Sequence, residues 1–313
     1  MIVTVTANPA LDRTVTLVAP LRTGEVQTAV AVREDAGGKG VNVSGVLSAA
    51  GVATLAVLPV AADDPYAAVI RAAGVPVRVV PVERHVRTNL ALTDADGETT
   101  KINLIGAPLT DTDARALTDA VVAATEGADW LVLAGSLPAG VADTYYVEIV
   151  DAVRERWGAD APRIAVDTSG PALRAVVESR AADLVKPNDE ELAELAGAVI
   201  DVDSPRESVR RIAQRIVPEF AASALVTLGG AGAALITAEE AWFVAAPRIR
   251  VASTVGAGDS SLAGYLLAER AGLDPAERLR SAVRHGSAAA ALPGTRVPAP
   301  ADLGPAVSAA LPL

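Results

Sequence analysis

Ser253-Thr254-Val255-Gly256-Ala257-Gly258-Asp259-Ser260 joins two kinds of pattern. A strand-like run ends before it, and a helical pattern over 258–269 begins within it. A strand feeding a helix through a short turn is the repeating unit of a layered α/β sheet. Glycines let the backbone turn tightly and approach a ligand closely. The first amides of the helix then point free N–H groups outward, with the positive end of the helix dipole behind them. That is an anion site suited to a transferring phosphoryl group. Asp259 falls in the first helical turn. There a carboxylate can take a proton from an attacking hydroxyl while the amides of Ala257, Gly258 and Asp259 hold the developing charge. Spacing alone leaves a second reading open, in which Asp259 only caps the helix and the glycines only make the turn.

Working outward, the same alternation runs along the chain. Residues 2–6, 54–60, 130–134, 164–167, 184–186 and 225–228 are short runs apolar on both faces, as buried parallel strands are. Helical patterns cover 41–50, 65–73, 113–124, 144–156, 190–196, 206–217, 258–269 and 275–291. The expected fold class is therefore α/β, with helices on both sides of a mostly parallel sheet. Four segments break the pattern. Residues 13–19 and 25–32 alternate polar with apolar side chains and read as half-exposed strands. Residues 88–93 and 99–104 form a similar pair around Ala95-Asp96-Gly97, a hairpin turn signal. These four are assigned to a small separate β-sheet that covers a cleft or pairs with a second copy. Pro293, Pro298, Pro300 and Pro305 predict loop structure near the C-terminus.

Composition narrows the function. The 313 residues are 51% hydrophobic and 21% charged, which is ordinary for a chain with a sizeable core. There is no cysteine, so disulfides, thiolate metal sites and cysteine nucleophiles are excluded. His85 and His285 are the only histidines, too few for a multi-histidine zinc site. A net charge of −11 argues against a nucleic-acid partner. The start lacks a basic region before its apolar run, and no run reaches the ~18 apolar residues of a membrane helix, so a cytoplasmic location without membrane contact is expected. Only Lys39, Lys101 and Lys186 are lysines. Two of them sit in turn-like motifs, where a compact point charge suits a phosphate.

The other motifs are individually weak. Gly37-Gly38-Lys39-Gly40, followed by Val41-Asn42, opens a helix; it lacks the GxxxxGK[ST] spacing of a phosphate loop. It can grip a sugar and its phosphate, or be an ordinary loop. Asn8-Pro9-Ala10-Leu11-Asp12 follows the first strand, where Asp12 either accepts sugar hydroxyls or stabilises a turn. Gly135-Ser136-Leu137-Pro138 also follows a strand. Lys186-Pro187-Asn188-Asp189-Glu190-Glu191 opens a helix, and Asn188 and Glu191 can orient hydrated magnesium. Leu228-Gly229-Gly230-Ala231-Gly232 is a turn between two strands, able to touch a nucleotide or to be a bare hairpin.

Taken in order, TANPALD at 6–12, GGKGVN at 37–42, GSLPAG at 135–140, KPNDEE at 186–191, TLGGAGA at 227–233 and STVGAGDS at 253–260 resemble the ribokinase-like (PfkB) carbohydrate kinases, and within them the phosphosugar branch. The likeness runs over residues 4–296. It implies a three-layer αβα fold, one kinase domain over 1–313 with a β lid from about 12–34 and 86–105, and a homodimer built through that lid. It implies Mg-ATP as phosphate donor and a ketohexose phosphate as acceptor. GGKG with Lys39 favours fructose 1-phosphate or tagatose 6-phosphate, whereas Gly294-Thr295-Arg296 fits a 6-phosphofructokinase equally; fructose 1-phosphate is the acceptor expected. By position, Asp259 would be the base and Gly256, Ala257 and Gly258 the anion hole. Asp12, Gly38, Lys39, Asn42, Asn89 and Ser136 would hold the phosphosugar, with Arg87 reaching its phosphate from the lid. Lys186, Asn188, Thr227, Gly229, Gly232, Ser253, Val255 and Ser287 would line the nucleotide pocket. Asn188 and Glu191 would meet magnesium through water.

Two other classes compete. A non-catalytic sensor of nucleotide or sugar phosphate would not need Asp259 beside its glycines. A dinucleotide-dependent oxidoreductase would need GxGxxG after the first strand, where NPALD stands instead.

Overall fold

A computed structural model describes residues 1–94, 98–201, 204–304 and 307–313. The strands are β1 (Ile2–Val5), β2 (Ala10–Leu17), β3 (Ala29–Gly37), β4 (Thr54–Ala61), β5 (Val77–Val82), β6 (Arg87–Thr93), β7 (Thr99–Asn103), β8 (Trp130–Ala134), β9 (Arg163–Asp167), β10 (Leu184–Val185), β11 (Ser223–Thr227), β12 (Gly232–Thr237), β13 (Ala241–Ala245) and β14 (Leu311–Pro312). The helices are α1 (Lys39–Ala49), α2 (Tyr66–Ala72), α3 (Asp111–Ala124), α4 (Tyr145–Trp157), α5 (Gly170–Glu178), α6 (Asp189–Ala196), α7 (Pro205–Ala213), α8 (Ala257–Arg270) and α9 (Pro275–Ala290).

Among the described residues, ten strands form one sheet in the order β14-β13-β12-β11-β10-β9-β8-β1-β4-β5. From β11 to β5 every neighbour pair is parallel; β12, β13 and β14 extend the sheet antiparallel. The parallel part explains why its sequence reads apolar on both faces. On β8, Leu131 and Leu133 face one side, where they pack with Leu117 of α3, Ile149 of α4, Val176 of α5 and Ile212 of α7. Trp130, Val132 and Ala134 face the other, with Leu47 of α1, Leu262 and Leu266 of α8, and Leu279 of α9. The side-chain alternation of a strand thus separates two helical layers, giving the αβα sandwich.

The second sheet runs β3-β2-β6-β7. β2 pairs antiparallel with β3 and parallel with β6, and β6 pairs antiparallel with β7. Register sorts its faces. Asp12, Asp35 and Asn89 stand in one row and Thr14, Arg33, Ala91 and Lys101 in another on the same face; Val15, Val32, Leu90, Leu92 and Ile102 fall on the opposite face. Packing of Tyr66 and Ile70 of α2 with Leu58 of β4 and Leu11 of β2 anchors this sheet to the core.

Several bounds differ from those read from sequence. The strand expected at 25–32 lies at Ala29–Gly37, because pairing with β2 carries it to the glycines that open α1. The helix expected to reach residue 217 stops at Ala213 and passes into turns over 214–220; Pro218 disfavours helical geometry at Val217, so the helix could not run to the bound expected. β5 was not anticipated; its Pro81 is tolerated because β5 is an edge strand. α5 was also not anticipated; its Pro171 suits the first helical turn in which it stands. The β6–β7 hairpin is present, while Ala95-Asp96-Gly97 and Pro305 lie outside the described residues.

Candidate active site

The C-terminal ends of β1, β9, β10 and β11 point to one side of the large sheet, the usual position of ligand sites in open α/β sheets. The N-termini of α1, α6 and α8 converge there, and the inner face of the small sheet stands opposite. Between them lies a cleft of about 680 Å³.

Glycine geometry shapes two of its walls. Gly256 adopts the left-handed conformation (φ 75°) at the start of α8, and the helix opens with no side-chain cap. Within its first turn the Ala257 amide reaches Thr254 O at 3.5 Å, while among the described residues no backbone partner takes the amides of Gly258 and Asp259. Gly38 sits at φ 130° ahead of α1, and a Cβ there would stand 2.6 Å from Thr6 Cγ2. Thr6 Oγ1 in turn accepts from the Val41 amide at 3.1 Å, fixing the start of α1 against β1. That placement sets both Lys39 and Asn42 over the sheet's edge.

Asp259 is only 6% exposed, and its Oδ2 accepts from Asn42 Nδ2 at 2.7 Å. Burial pushes its carboxyl up to about 6, and the nearby charge of Asp167 adds to the rise; Lys39, Asn42 and Lys186 pull the other way. Asp167, at the end of β9, is sealed from solvent. Lys39 Nζ donates to its Oδ1 at 2.7 Å, and Lys186 Nζ lies 3.1 Å from its Oδ2. Burial alone would raise the Asp167 carboxyl, but Lys186 and Lys39 hold it below the usual carboxylate range. Burial opposes the charge on Lys39 as well; Asp167 and Asp259 outweigh it and keep the ammonium above its ordinary pKa.

On the lid side, Asn89 Nδ2 donates to Asp12 Oδ1 at 2.8 Å. Burial raises the Asp12 carboxyl, against the pull of Asn89 and Arg87. Arg87 Nε and Asn89 Oδ1 are buried without a hydrogen-bond partner. Groups of this kind are costly unless a ligand engages them. Asp64 Oδ2 accepts from the Val86 amide at 2.6 Å, which fixes where β6 begins and so where Arg87 stands. On the far wall, Asn188 and Glu191 form a reciprocal capping box on α6. It takes up one oxygen of each side chain, Asn188 Oδ1 at 2.7 Å and Glu191 Oε2 at 2.9 Å.

The family pattern described as pfkB family carbohydrate kinase matches residues 5–302. The chain belongs to that family. It is 38% identical over 279 residues to the 1-phosphofructokinase of Rhodobacter capsulatus, covering 87% of this chain and 85% of the relative. It is 33% identical over 279 residues to ATP-dependent 6-phosphofructokinase isozyme 2 of Escherichia coli (strain K12), covering 87% of each. Among solved structures, phosphofructokinase-2 from Escherichia coli in complex with potassium overlays 96% of both chains with a TM-score of 0.87 and 30% identity. The chain is thus an ATP-dependent sugar-phosphate kinase of the phosphofructokinase type.

In this kinase the cleft gathers most residues singled out from the sequence. Gly256, Ala257, Gly258 and Asp259 line it together with Asp12, Gly38, Lys39, Asn42, Arg87 and Asn89. Lys186, Asn188, Glu191, Thr227, Gly229, Gly232, Val255 and Ser287 line it too. Ser136 and Ser253 are not among its lining residues. Ser136 Oγ accepts from Asn8 Nδ2 at 3.3 Å, tying its loop to the one after β1, and Ser253 Oγ accepts from the Val255 amide at 3.2 Å within its own turn. Asp167 was missed. Its signal was the same one that marked Asp12, a carboxylate at the end of an apolar strand, but no glycine motif drew attention to it.

Gly256→Ala tests the turn. An alanine Cβ there meets nothing closer than Asn42 Nδ2 at 3.7 Å, so the penalty is backbone strain and not a clash. Urea unfolding should show a loss of about 1–2 kcal/mol, with a marked fall in kcat as the amides turn from the cleft. Unchanged stability and rate would show that the left-handed turn is dispensable.

Proposed function

We propose that the kinase transfers the γ-phosphoryl group of ATP in line to the free primary hydroxyl of a ketohexose phosphate, with fructose 1-phosphate as its acceptor and Asp259 as its base. One observation carries this reading: a buried carboxylate, poised near neutral pH and oriented by Asn42, beside the uncapped start of α8 in a cleft bordered by lysines. At pH 7 most of it is ionised and ready to take the hydroxyl proton. The amides of Ala257, Gly258 and Asp259 would hold charge on the group in transit. Lys39 and Arg87 would bind the phosphate already on the sugar, and the unpartnered Arg87 Nε supports that role. Asp12 and Asn89, joined to each other, would take the sugar hydroxyls, next to Gly38 and Asn42. Lys186, Thr227, Gly229, Gly232, Val255 and Ser287 would border the nucleotide.

The described residues hold no cluster of three or more His, Cys, Asp or Glu able to bind a metal. That donor set fits a hydrated magnesium that arrives with ATP, the free oxygen of Glu191 and the Asn188 amide group meeting its water shell. When bound, magnesium neutralises charge on the transferred group.

The 38% likeness to a 1-phosphofructokinase and the position of Lys39 in the cleft support fructose 1-phosphate. The 33% likeness to a 6-phosphofructokinase favours a second reading, with fructose 6-phosphate as acceptor; tagatose 6-phosphate is the alternative acceptor that GGKG with Lys39 also fits. The reading further takes 1–313 as one kinase domain acting in the cytoplasm, where ATP is maintained. It assigns the lid's outer face to a homodimer: Val32 and Ile102 are 60% and 49% exposed on it, in rows with Val15, Leu90 and Leu92. No described helix is long and apolar enough to cross a membrane.

Asp259→Asn should lower kcat by about 10²–10⁴-fold while phosphosugar binding persists. Its folded pKa lies above the usual carboxylate value, so the ionised form weakens folding as pH rises through about 6, and the neutral amide should melt no lower than the parent. In the parent, kcat/KM should fall as pH drops through about 6. Near-normal turnover by the variant would remove Asp259 from the mechanism. In parallel assays, kcat/KM should be highest on fructose 1-phosphate, and a preference for either 6-phosphate would reassign the acceptor. Sedimentation should find a dimer that Val32→Glu with Ile102→Glu converts to monomer; a monomeric parent would refute the lid interface.

A further inference from the structure

Asp167 has no place in the scheme above, yet it is a fully enclosed charge directly beneath two lysines that line the cleft. It is 0% exposed at the end of β9. Burying a carboxylate is costly, and a buried ion pair is poor evidence of a stabilising role, since apolar side chains of similar volume often serve as well. The arrangement around it is what sets it apart. Its two oxygens go to two different lysines, Lys39 at 2.7 Å and Lys186 at 3.1 Å. Lys39 opens α1 beside Asn42, on the phosphosugar side of the cleft. Lys186 follows β10 and leads into Asn188, on the nucleotide side. These are two of only three lysines in the chain. Each ammonium carries three donors; Lys39 gives one to Asp167 Oδ1, while Lys186 faces Asp167 Oδ2 as an ion pair, and that buried oxygen has no hydrogen-bond partner. The remaining donors stay available for phosphate oxygens.

We propose that Asp167 is a positioning residue that ties Lys39 and Lys186 to the two ends of one carboxylate, so that the phosphosugar half and the nucleotide half of the cleft are set as a single unit. The inference rests on the phosphotransfer reading of the cleft and deepens it. Without the carboxylate, two ammonium groups confined side by side would repel and swing apart. With it, a substrate that engages one lysine orders the other through the shared carboxylate, which lowers the ordering cost of binding the second substrate. Once one substrate has engaged its lysine, Asp167 and with it the second lysine are already fixed. The two substrates are then linked in affinity.

Asp167 also bears on the base. The groups that face Asp259 are Asp167 from β9, Lys39 and Asn42 from α1, and Lys186 after β10. Removing the negative charge of Asp167 while the lysines stay lets Asp259 ionise more easily, so the acidic limb of activity moves to lower pH. A purely structural residue would not move that limb.

The test is calorimetric binding of a non-hydrolysable ATP analogue to the full chain, with and without fructose 1-phosphate, together with the pH profile of kcat/KM. In the parent, each ligand should tighten the other by about fivefold or more. Asp167→Asn should reduce that linkage to less than about twofold, raise KM for both substrates by about tenfold, and shift the acidic limb downward. Should Asp167→Asn not fold, Lys39→Met serves in its place, because it leaves Asp167 paired with Lys186; it should abolish the same linkage. The proposal is overturned if either folded variant keeps the parent's linkage, or if the Asp167→Asn limb stays where it was. Because the binding readout needs no turnover, it decides the role of Asp167 even if Asp259 proves not to be the base.

Discussion

Two carboxylates and two ammonium groups are packed together at one cleft, Asp167 beneath it and Asp259, Lys39 and Lys186 on its walls, and the rest of the structure is arranged to make that arrangement tolerable. Asp167 and Asp259 are both buried, and either one alone in such surroundings would gain a proton or draw in water. Lys39 and Lys186 keep Asp167 ionised; Asp167 and Asp259 keep Lys39 charged. The charges come from the ends of β9 and β10 and the starts of α1 and α8. Only a parallel sheet with helices on both sides brings such ends and starts to one edge. The apolar packing of α1, α8 and α9 on one face and of α3, α4, α5 and α7 on the other holds that edge rigid.

This arrangement also answers the question posed by a net charge of −11. A protein so acidic that handles phosphates must concentrate its positive potential locally. It does so by confining two of its three lysines to this cleft and adding a helix start whose amides are uncapped. Arginine, the habitual cation elsewhere in the chain, enters the cleft at Arg87, where a planar fork suits a fixed phosphate. The two compact ammonium groups meet at Asp167, while the fork of Arg87 reaches the cleft from the lid.

Much of this was legible in the sequence because each piece carried a local signal. The buried strands announced themselves as apolar runs, and Gly256 and Gly38 marked turns that only glycine makes without strain. The lid strands were visible as alternating patterns, but β3 was misplaced by several residues, since its register is set by pairing with β2 and not by its own alternation. β5 and α5 were hidden by prolines that are harmless at a sheet edge and in a first helical turn. Ser136 and Ser253 had the right chemistry in the right loops, yet their hydroxyls are taken by Asn8 and by the Val255 amide. Asp167 was illegible for the opposite reason. Nothing near it in sequence reveals that residues 128 positions earlier and 19 positions later bring it two lysines.

The lid shows how one small sheet serves two demands. A strand presents successive side chains to opposite faces, so a single register assigns Asp12, Arg87 and Asn89 to the cleft and Val15, Val32, Leu90, Leu92 and Ile102 to the outside. The row Asp12-Asp35-Asn89 cannot slip by one residue without driving Asp12 outward and an apolar neighbour into the cleft. Under the proposed function, specificity on the inner face and adhesion on the outer face would be locked to the same hydrogen-bond register. Any change that reshapes the outer face must preserve that register or lose the inner one, which in the proposed reading would couple assembly of the lid to recognition of the sugar.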